Sequence, residues 1–160
     1  MAGLETYADA TSGNVMRLAA RILGAGESLD AAAGDAGIAY AIAGLLRAMP
    51  YRAANRRLTL PVASLRSAGA SPDDIFAGET SAGLATVYAE LAEAARTHLR
   101  AANEISTPRK FLPALLPAAV VPLYLKPLMK AGFNPFRDVV DIPIHRRQLA
   151  MLGAVMKGRL

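Results

Sequence analysis

The sequence predicts an all-α protein formed by a single helical bundle. Alanine and leucine are abundant among the 160 residues and strand-forming residues are sparse, which favours helices. Apolar side chains recur every three or four positions over long stretches, as in amphipathic helices. Glycines, prolines and capping residues separate these stretches. The length suits one domain with a substantial core, so we expect six or seven helices and no sheet.

The first predicted helix spans residues 5 to 24. Its apolar residues follow the helical period and are Val15, Leu18, Ala19, Ile22 and Leu23. Gly24 and Gly26 should end it, because glycine loses more conformational freedom in a helix than other residues. Ser28 or Asp30 can then cap the next helix.

The second predicted helix runs to Met49 and is expected to stop there, because Pro50 lacks the backbone N–H that continues a helix. Its apolar side consists of Ile38, Ile42, Leu45 and Met49. A second stripe holds only small residues, namely Gly37, Ala41, Gly44 and Ala48. Such a stripe suits either close helix packing or the wall of a cavity, and both interpretations remain open.

Shorter elements should follow the basic turn at residues 50 to 60. Pro61 can start a short helix that ends near Leu65. Residues 71 to 74, Ser-Pro-Asp-Asp, are typical of a helix N-terminus, with a capping hydroxyl and acids in the first turn. Residues 79 to 105 have the amphipathic period of the longest helix in the chain.

The C-terminal part begins with an apolar run, Phe111 to Leu125. A membrane span needs about 20 apolar residues, and this run is shorter and contains three prolines. We expect a kinked buried helix or an interfacial element there. Asp141 to Pro143 should form a turn before a last helix that ends near Lys157. We expect one domain over residues 1–160, with core helices at 4–105 and a basic helical region at 106–160.

The charge is unevenly distributed between these two regions. Residues 1–105 hold 9 basic and 11 acidic side chains, whereas residues 106–160 hold 9 basic and 2 acidic ones. This asymmetry favours an anionic partner such as a membrane surface or a diphosphate, although a solvated basic face is the alternative. Nothing resembles a nucleic-acid-binding module. The absence of cysteine excludes disulfides and thiolate metal sites.

Several segments resemble motifs of one enzyme family. Residues 37 to 61 contain a helix with Arg47, a basic turn and Leu60-Pro61, while Tyr7 to Val15 and Ala70 to Gly78 match flanking segments. These stretches resemble the second half of the squalene/phytoene synthase domain, where an Asn-x-x-Arg-Asp-x-x-x-Asp helix precedes Arg-x-Tyr-Leu-Pro. The resemblance implies an all-α fold of the isoprenoid-synthase type.

Two further segments refine this resemblance. The stretch from Phe111 through Gly132-Phe-Asn-Pro135 to Gln148 is similar to bacterial members of the family. Leu45 to Tyr51 resembles a non-catalytic branch that includes a mitochondrial complex I assembly factor.

The resemblance also places Gly44, Ala48 and Arg52 at the family's three metal-binding positions. Magnesium needs oxygen ligands, which glycine, alanine and arginine side chains do not supply. We therefore expect a non-catalytic protein without metal or other cofactor, of the isoprenoid-binding, lipid-binding or respiratory-complex-assembly type. The alternative is a magnesium-dependent prenyl transferase that condenses two isoprenyl diphosphates, either by itself or as one part of a split enzyme.

The candidate ligand-binding residues are arginines near the end of the second helix, since guanidinium groups match phosphate oxygens. They are Arg47, Arg52, Arg56 and Arg57, with a solvated basic turn as the alternative. The expected cavity-lining residues are Tyr7, Gly13, Ala41, Gly44 and Ala48. His98 lies on an apolar stripe and is interpreted as a satisfied core histidine, and His145 as part of a basic surface. No residue is predicted to be catalytic or to bind metal.

A half-domain should leave the small and apolar sides of its first two helices uncovered. We therefore expect self-association or a protein partner, unless residues 111 to 125 fold back across that surface. No secretory signal is visible after Met1, so a cytoplasmic location, peripheral to the inner membrane, is expected.

Overall fold

The computed structural model describes residues 2–160 and contains no strand within that range, which confirms the all-α prediction. The α-helices are α1 (Ala2–Ala8), α2 (Asn14–Ile22), α3 (Asp30–Ala54), α4 (Val62–Ser67), α5 (Pro72–Phe76), α6 (Ala82–Glu104), α7 (Val121–Leu128) and α8 (Ile144–Lys157). A π-helical turn, Asp9–Gly13, joins α1 to α2. Short 3-10 segments cover Glu27–Leu29, Leu112–Ala114 and Leu116–Val120.

The predicted first helix corresponds to α1, this π turn and α2 taken together. Ala8 and Gly13, at its two ends, both keep right-handed helical backbone angles, so α1, the turn and α2 form one continuous run. Gly13 lies directly against α3, since a Cβ atom added to Gly37 would be 2.5 Å from the Gly13 Cα atom. The two backbones are therefore in contact at this point.

The centre of the bundle is the pair α3 and α6, which pack against each other along their length. Their fully buried side chains include Ile42, Leu46 and Met49 from α3 and Leu84, Val87 and Leu91 from α6. The prediction that residues 79 to 105 form the longest helix is wrong, because α3 has 25 residues and α6 has 23. The extra length of α3 comes from its passage through Pro50.

Pro50 lies inside α3 instead of ending it, so the expected stop at Met49 is also wrong. A proline has no N–H to donate to the carbonyl four residues earlier, which here belongs to Leu46. The Tyr88 hydroxyl on α6 donates a buried hydrogen bond of 3.0 Å to that carbonyl oxygen. The helix continues to Ala54 because a neighbouring helix supplies the missing donor.

Two helices, α5 and α6, begin at a capping serine, and the cap of α5 is the one that the sequence predicts. Ser71 Oγ accepts a hydrogen bond of 3.1 Å from the Asp73 backbone N–H, and Ser81 Oγ accepts one of 3.1 Å from Leu84. Pro61 is the residue before α4, as expected. The capped N-terminus predicted at residues 71 to 74 is thus confirmed.

The apolar run at residues 111 to 125 is kinked and largely buried, as predicted. Its 3-10 segments lead into α7, which packs against α3 and α6. By length and composition alone, residues 27–54 are apolar enough to cross a membrane, but 61% of the qualifying window is buried in the fold. That degree of burial is what a core helix also shows.

Candidate functional site

The small-residue stripe of α3 is covered in its first half and open in its second. Gly37 lies against the backbone of Gly13 and Ser12. About two turns later the stripe is accessible, since a Cβ atom added to Gly44 would meet nothing within 4 Å. Tyr40 and Tyr51, on the same outward side of α3, are exposed. Close helix packing therefore applies to the first half of the stripe. The second half is open, and Ala41, Gly44 and Ala48 are not among the residues that line the groove beside it.

A groove runs beside the open half of α3. Its volume is about 500 Å³, and its lining includes Gly3, Leu4 and Tyr7 from α1, Leu45 and Arg52 from α3, and residues 58 to 63. Most of these side chains are apolar, and the Arg52 guanidinium supplies a positive charge. Tyr7 and Arg52, two of the predicted site residues, thus meet in one cavity.

Thr59 adds an unsatisfied polar group to this groove. Its Oγ1 atom is shielded from solvent and has no hydrogen-bond partner among residues 2–160. An unpaired buried hydroxyl is costly, so a ligand atom that bonded to it would remove an energetic penalty. Sequence periodicity did not identify Thr59, because it lies in the irregular segment after α3, where no helical pattern exists.

Arg47 lies elsewhere, on the side of α3 that faces α7. Its Cζ atom is 4.6 Å from the centre of the Tyr124 ring, an arrangement typical of a cation–π contact. It lines a second cavity of about 510 Å³ together with Pro50, Tyr51 and residues near Phe136. The structure therefore separates Arg47 from Arg52.

The remaining predicted arginines lie in the turn after α3. Arg56 and Arg57 are both exposed. Arg56 has a positive φ of 52°, which is uncommon for a residue with a side chain. The turn keeps the basic character that the sequence indicates, and Arg52 is the member of the set that reaches the groove.

Gly13 occupies a helix contact and is not in the lining of the groove. It lies beside an ion pair between Arg17 and Asp9, whose charged atoms are 2.6 Å apart. The Arg17 Nε atom also donates a hydrogen bond of 3.1 Å to the Asp30 carbonyl oxygen. A Cβ atom at Gly34 would overlap the Arg17 guanidinium. Glycine at these positions allows the ion pair to lie directly on α3.

His98 is hydrogen-bonded, as predicted, but it is only partly buried and is not a core residue. Its Nδ1 atom is 2.7 Å from Asp35 Oδ1, and its Nε2 atom is 3.9 Å from Glu5 Oε1. These contacts join α6 to α3 and α1. Across residues 2–160, no three His, Cys, Asp or Glu side chains converge as metal ligands.

Comparison with known proteins identifies the family. The squalene/phytoene synthase profile matches residues 1–148. The chain belongs to the squalene/phytoene synthase family. No solved structure matches it.

The curated relatives include proteins named NADH dehydrogenase (ubiquinone) complex I, assembly factor 6. The mouse protein is 31% identical over 139 residues, which cover 85% of this chain and 42% of the relative. The bovine protein is 32% identical and the human protein 30% identical, each over 136 residues, 83% of this chain and 41% of the relative. The chain thus spans less than half the length of these relatives.

Proposed function

We propose that this chain is a non-catalytic member of its family that acts in the assembly of a respiratory complex. The similarity to complex I assembly factors over 83–85% of the chain supports this role. The observation that carries the non-catalytic part is the composition of the open half of α3, where Gly44, Ala48 and Arg52 occupy successive turns.

Magnesium, on which the family's enzymes depend, does not fit these residues. The ion is bound by carboxylates, carbonyls, water and substrate phosphates, and the three side chains on this face provide no oxygen atom. Asp9, a carboxylate on the adjacent helix run, is already paired with Arg17 at 2.6 Å. The fold of the family is retained while its metal chemistry has no ligands on this face.

The purified protein should release no pyrophosphate above background from farnesyl or geranylgeranyl diphosphate with magnesium, because Gly44, Ala48 and Arg52 offer no oxygen ligand for the metal that stabilises the leaving group. In the host, deletion of the gene should lower the amount of assembled complex I on native gels, and the wild-type gene should restore it. For the pyrophosphate assay, a catalytically active family enzyme serves as the positive control. Pyrophosphate release that a chelator abolishes would favour the alternative, a prenyl transferase or one part of a split one.

The groove beside α3 is proposed to hold an anionic amphiphile, either an isoprenyl diphosphate or a phospholipid. Its phosphate would interact with Arg52 and the Thr59 hydroxyl, and its chain would lie along Leu4, Leu45 and Leu58. The other arginines of the turn, being exposed, would add a general positive potential.

Replacing Arg52 by alanine should weaken binding of a diphosphate-bearing isoprenoid at least about tenfold, since a charge-assisted hydrogen bond contributes about 1.5 to 3 kcal/mol. Added salt should weaken the wild type further. Isothermal titration or fluorescence displacement measures both effects. Arg56→Ala is the matched control, because it removes the same charge from the exposed turn and should change affinity little. Equal affinity of wild type and Arg52→Ala would exclude the groove as the binding site.

The open stripe of α3 is proposed as the region that associates with a protein partner or a second copy. Val15 and Ile22 of α2 are also exposed, so the apolar run at residues 111 to 125 does not cover them. We further propose that the protein is cytoplasmic and bound peripherally to the inner membrane. The basic balance of residues 106–160 supports contact with an anionic surface.

A further inference from the structure

The last helix, α8, presents its large apolar side chains to solvent. It packs against Leu116–Val120, and the residues it turns toward the core are Ala154, which is buried, and Met151, which is partly buried. The opposite side carries Leu149, Leu152 and Met156, whose exposed fractions are 63%, 54% and 72%. We call these three residues the α8 ridge.

Two further large apolar side chains of α8 are exposed, namely Ile144 and Val155. They lie about a quarter turn around the helix from the α8 ridge, between it and Met151. A helix in a water-soluble protein normally directs its apolar stripe to the core and its polar residues outward. Here the outward side is largely apolar, so the helix has the pattern of one that contacts an apolar phase beyond the protein.

The charged side chains of α8 and of the residues that follow it are all basic. From Ile144 to Leu160 the chain has four basic side chains and no acidic one; the basic residues are Arg146, Arg147, Lys157 and Arg159. Arg146 lies near the N-terminal end of the ridge, and Lys157 and Arg159 lie at its C-terminal end. Arg147 is partly buried, and its Nε atom is shielded from solvent. Arg109 adds a fifth positive charge, since its guanidinium donates a hydrogen bond of 3.4 Å to the Met156 carbonyl oxygen at the C-terminal end.

We infer that α8 is the element by which this protein lies on an anionic lipid bilayer. The ridge would enter the boundary between headgroups and acyl chains, and the flanking arginines and lysine would contact lipid phosphates. This inference rests on the proposed peripheral location and names the helix responsible for it.

A second copy of the chain suits the ridge less well. Two α8 helices packed through their ridges would bring basic ends together in either the parallel or the antiparallel arrangement, because both ends carry the same sign. Like charges at such a contact repel each other. A bilayer rich in anionic headgroups attracts the basic ends of α8 instead of repelling them, so the same charges favour binding to the bilayer.

The test compares sedimentation of the full chain with vesicles made of equal parts phosphatidylcholine and phosphatidylglycerol, and with phosphatidylcholine vesicles. The ridge variant replaces Leu149, Leu152 and Met156 by glutamine. The matched control replaces three equally exposed apolar residues of α2 by glutamine; these are Val15, Leu18 and Ile22, with exposed fractions of 65%, 62% and 76%. Circular dichroism establishes that both variants keep their helical content.

Wild type and α2 variant should bind the anionic vesicles equally, and the ridge variant at least about tenfold more weakly. Arg146→Gln with Lys157→Gln should weaken binding about fivefold for each charge removed. If the α2 variant lost as much vesicle affinity as the ridge variant, the proposed peripheral location would stand but the assignment of vesicle binding to α8 would be wrong. Absence of vesicle binding by wild type would overturn both. A wild-type dimer that the ridge variant converts to monomer would assign the ridge to a second copy instead.

Discussion

Replacing Gly37 by alanine should destabilise the protein by about 3 kcal/mol, near the upper end of the usual cost of overpacking. The added Cβ atom would lie 2.5 Å from both Gly13 Cα and Gly13 N and 2.6 Å from the Ser12 carbonyl carbon. All three are backbone atoms, so no side-chain rotation relieves the overlap. The π turn and α3 would have to move apart, and the Asp9–Arg17 ion pair beside them would be displaced.

The same substitution at Gly44 is the matched control, because it lies on the same helix and the same stripe. Nothing lies within 4 Å of the added Cβ atom there, so alanine should stabilise the fold by about 0.5 to 1 kcal/mol through its better helix propensity. Urea unfolding followed by circular dichroism measures both free energies. If Gly37→Ala were as stable as wild type, the close contact between α3 and the π turn would not exist in solution.

This pair of glycines also illustrates what the sequence could predict. A stripe of small residues on α3 is visible from helical spacing, and the two uses of such a stripe are evident. Which half is packed and which is open depends on the π turn that brings Gly13 against Gly37. That turn is not encoded in the apolar period, because an amphipathic pattern is compatible with either an α-helical or a locally widened helix.

The candidate site was predictable to a similar extent. The family resemblance and the charge pattern predict Tyr7 and Arg52 as site residues, and both line one groove. The same reasoning grouped Arg47 with them, yet its guanidinium stacks on Tyr124 of α7. A cation near an aromatic ring 77 positions later in the chain is a tertiary contact, and local sequence does not specify it. Thr59 was missed for the same reason, since its unsatisfied state is a property of the folded surroundings.

The orientation of α8 shows a further limit. Helical spacing reveals that Leu149, Leu152 and Met156 share a side, and the usual inference would place that side in the core. The structure places Ala154 there instead. Periodicity identifies a stripe but not the phase that it contacts, so the exposed ridge became evident from the three-dimensional packing alone.

Replacing Tyr88 by phenylalanine should cost about 2 kcal/mol, within the range for leaving a buried backbone carbonyl unsatisfied. The Leu46 carbonyl oxygen accepts a hydrogen bond from the Tyr88 hydroxyl at 3.0 Å and, because residue 50 is proline, lacks the usual donor four residues later in its own helix. The variant would keep the aromatic ring in the core, so the loss should reflect the hydrogen bond and not the packing.

The effect should depend strongly on Pro50. In a Pro50→Ala background the new N–H can bond to the Leu46 carbonyl, and Tyr88→Phe should then cost about 0.5 kcal/mol or less, giving a coupling of about 1.5 to 2 kcal/mol. Equal costs of Tyr88→Phe in the two backgrounds would show that the hydroxyl does not replace the bond that Pro50 lacks.

The contribution of Tyr88 should also disappear in strongly alkaline solution. Burial raises the pKa of the Tyr88 phenol above its ordinary value of about 10. A group whose pKa is raised in the folded state stabilises the protein below its unfolded pKa, and that stability falls as pH rises beyond it. Wild type should therefore lose stability above pH of about 10 faster than Tyr88→Phe, which has one fewer buried phenol to ionise. Denaturation curves of the two proteins at increasing pH should converge, and a constant difference between them would mean that Tyr88 is not protected from ionisation by burial.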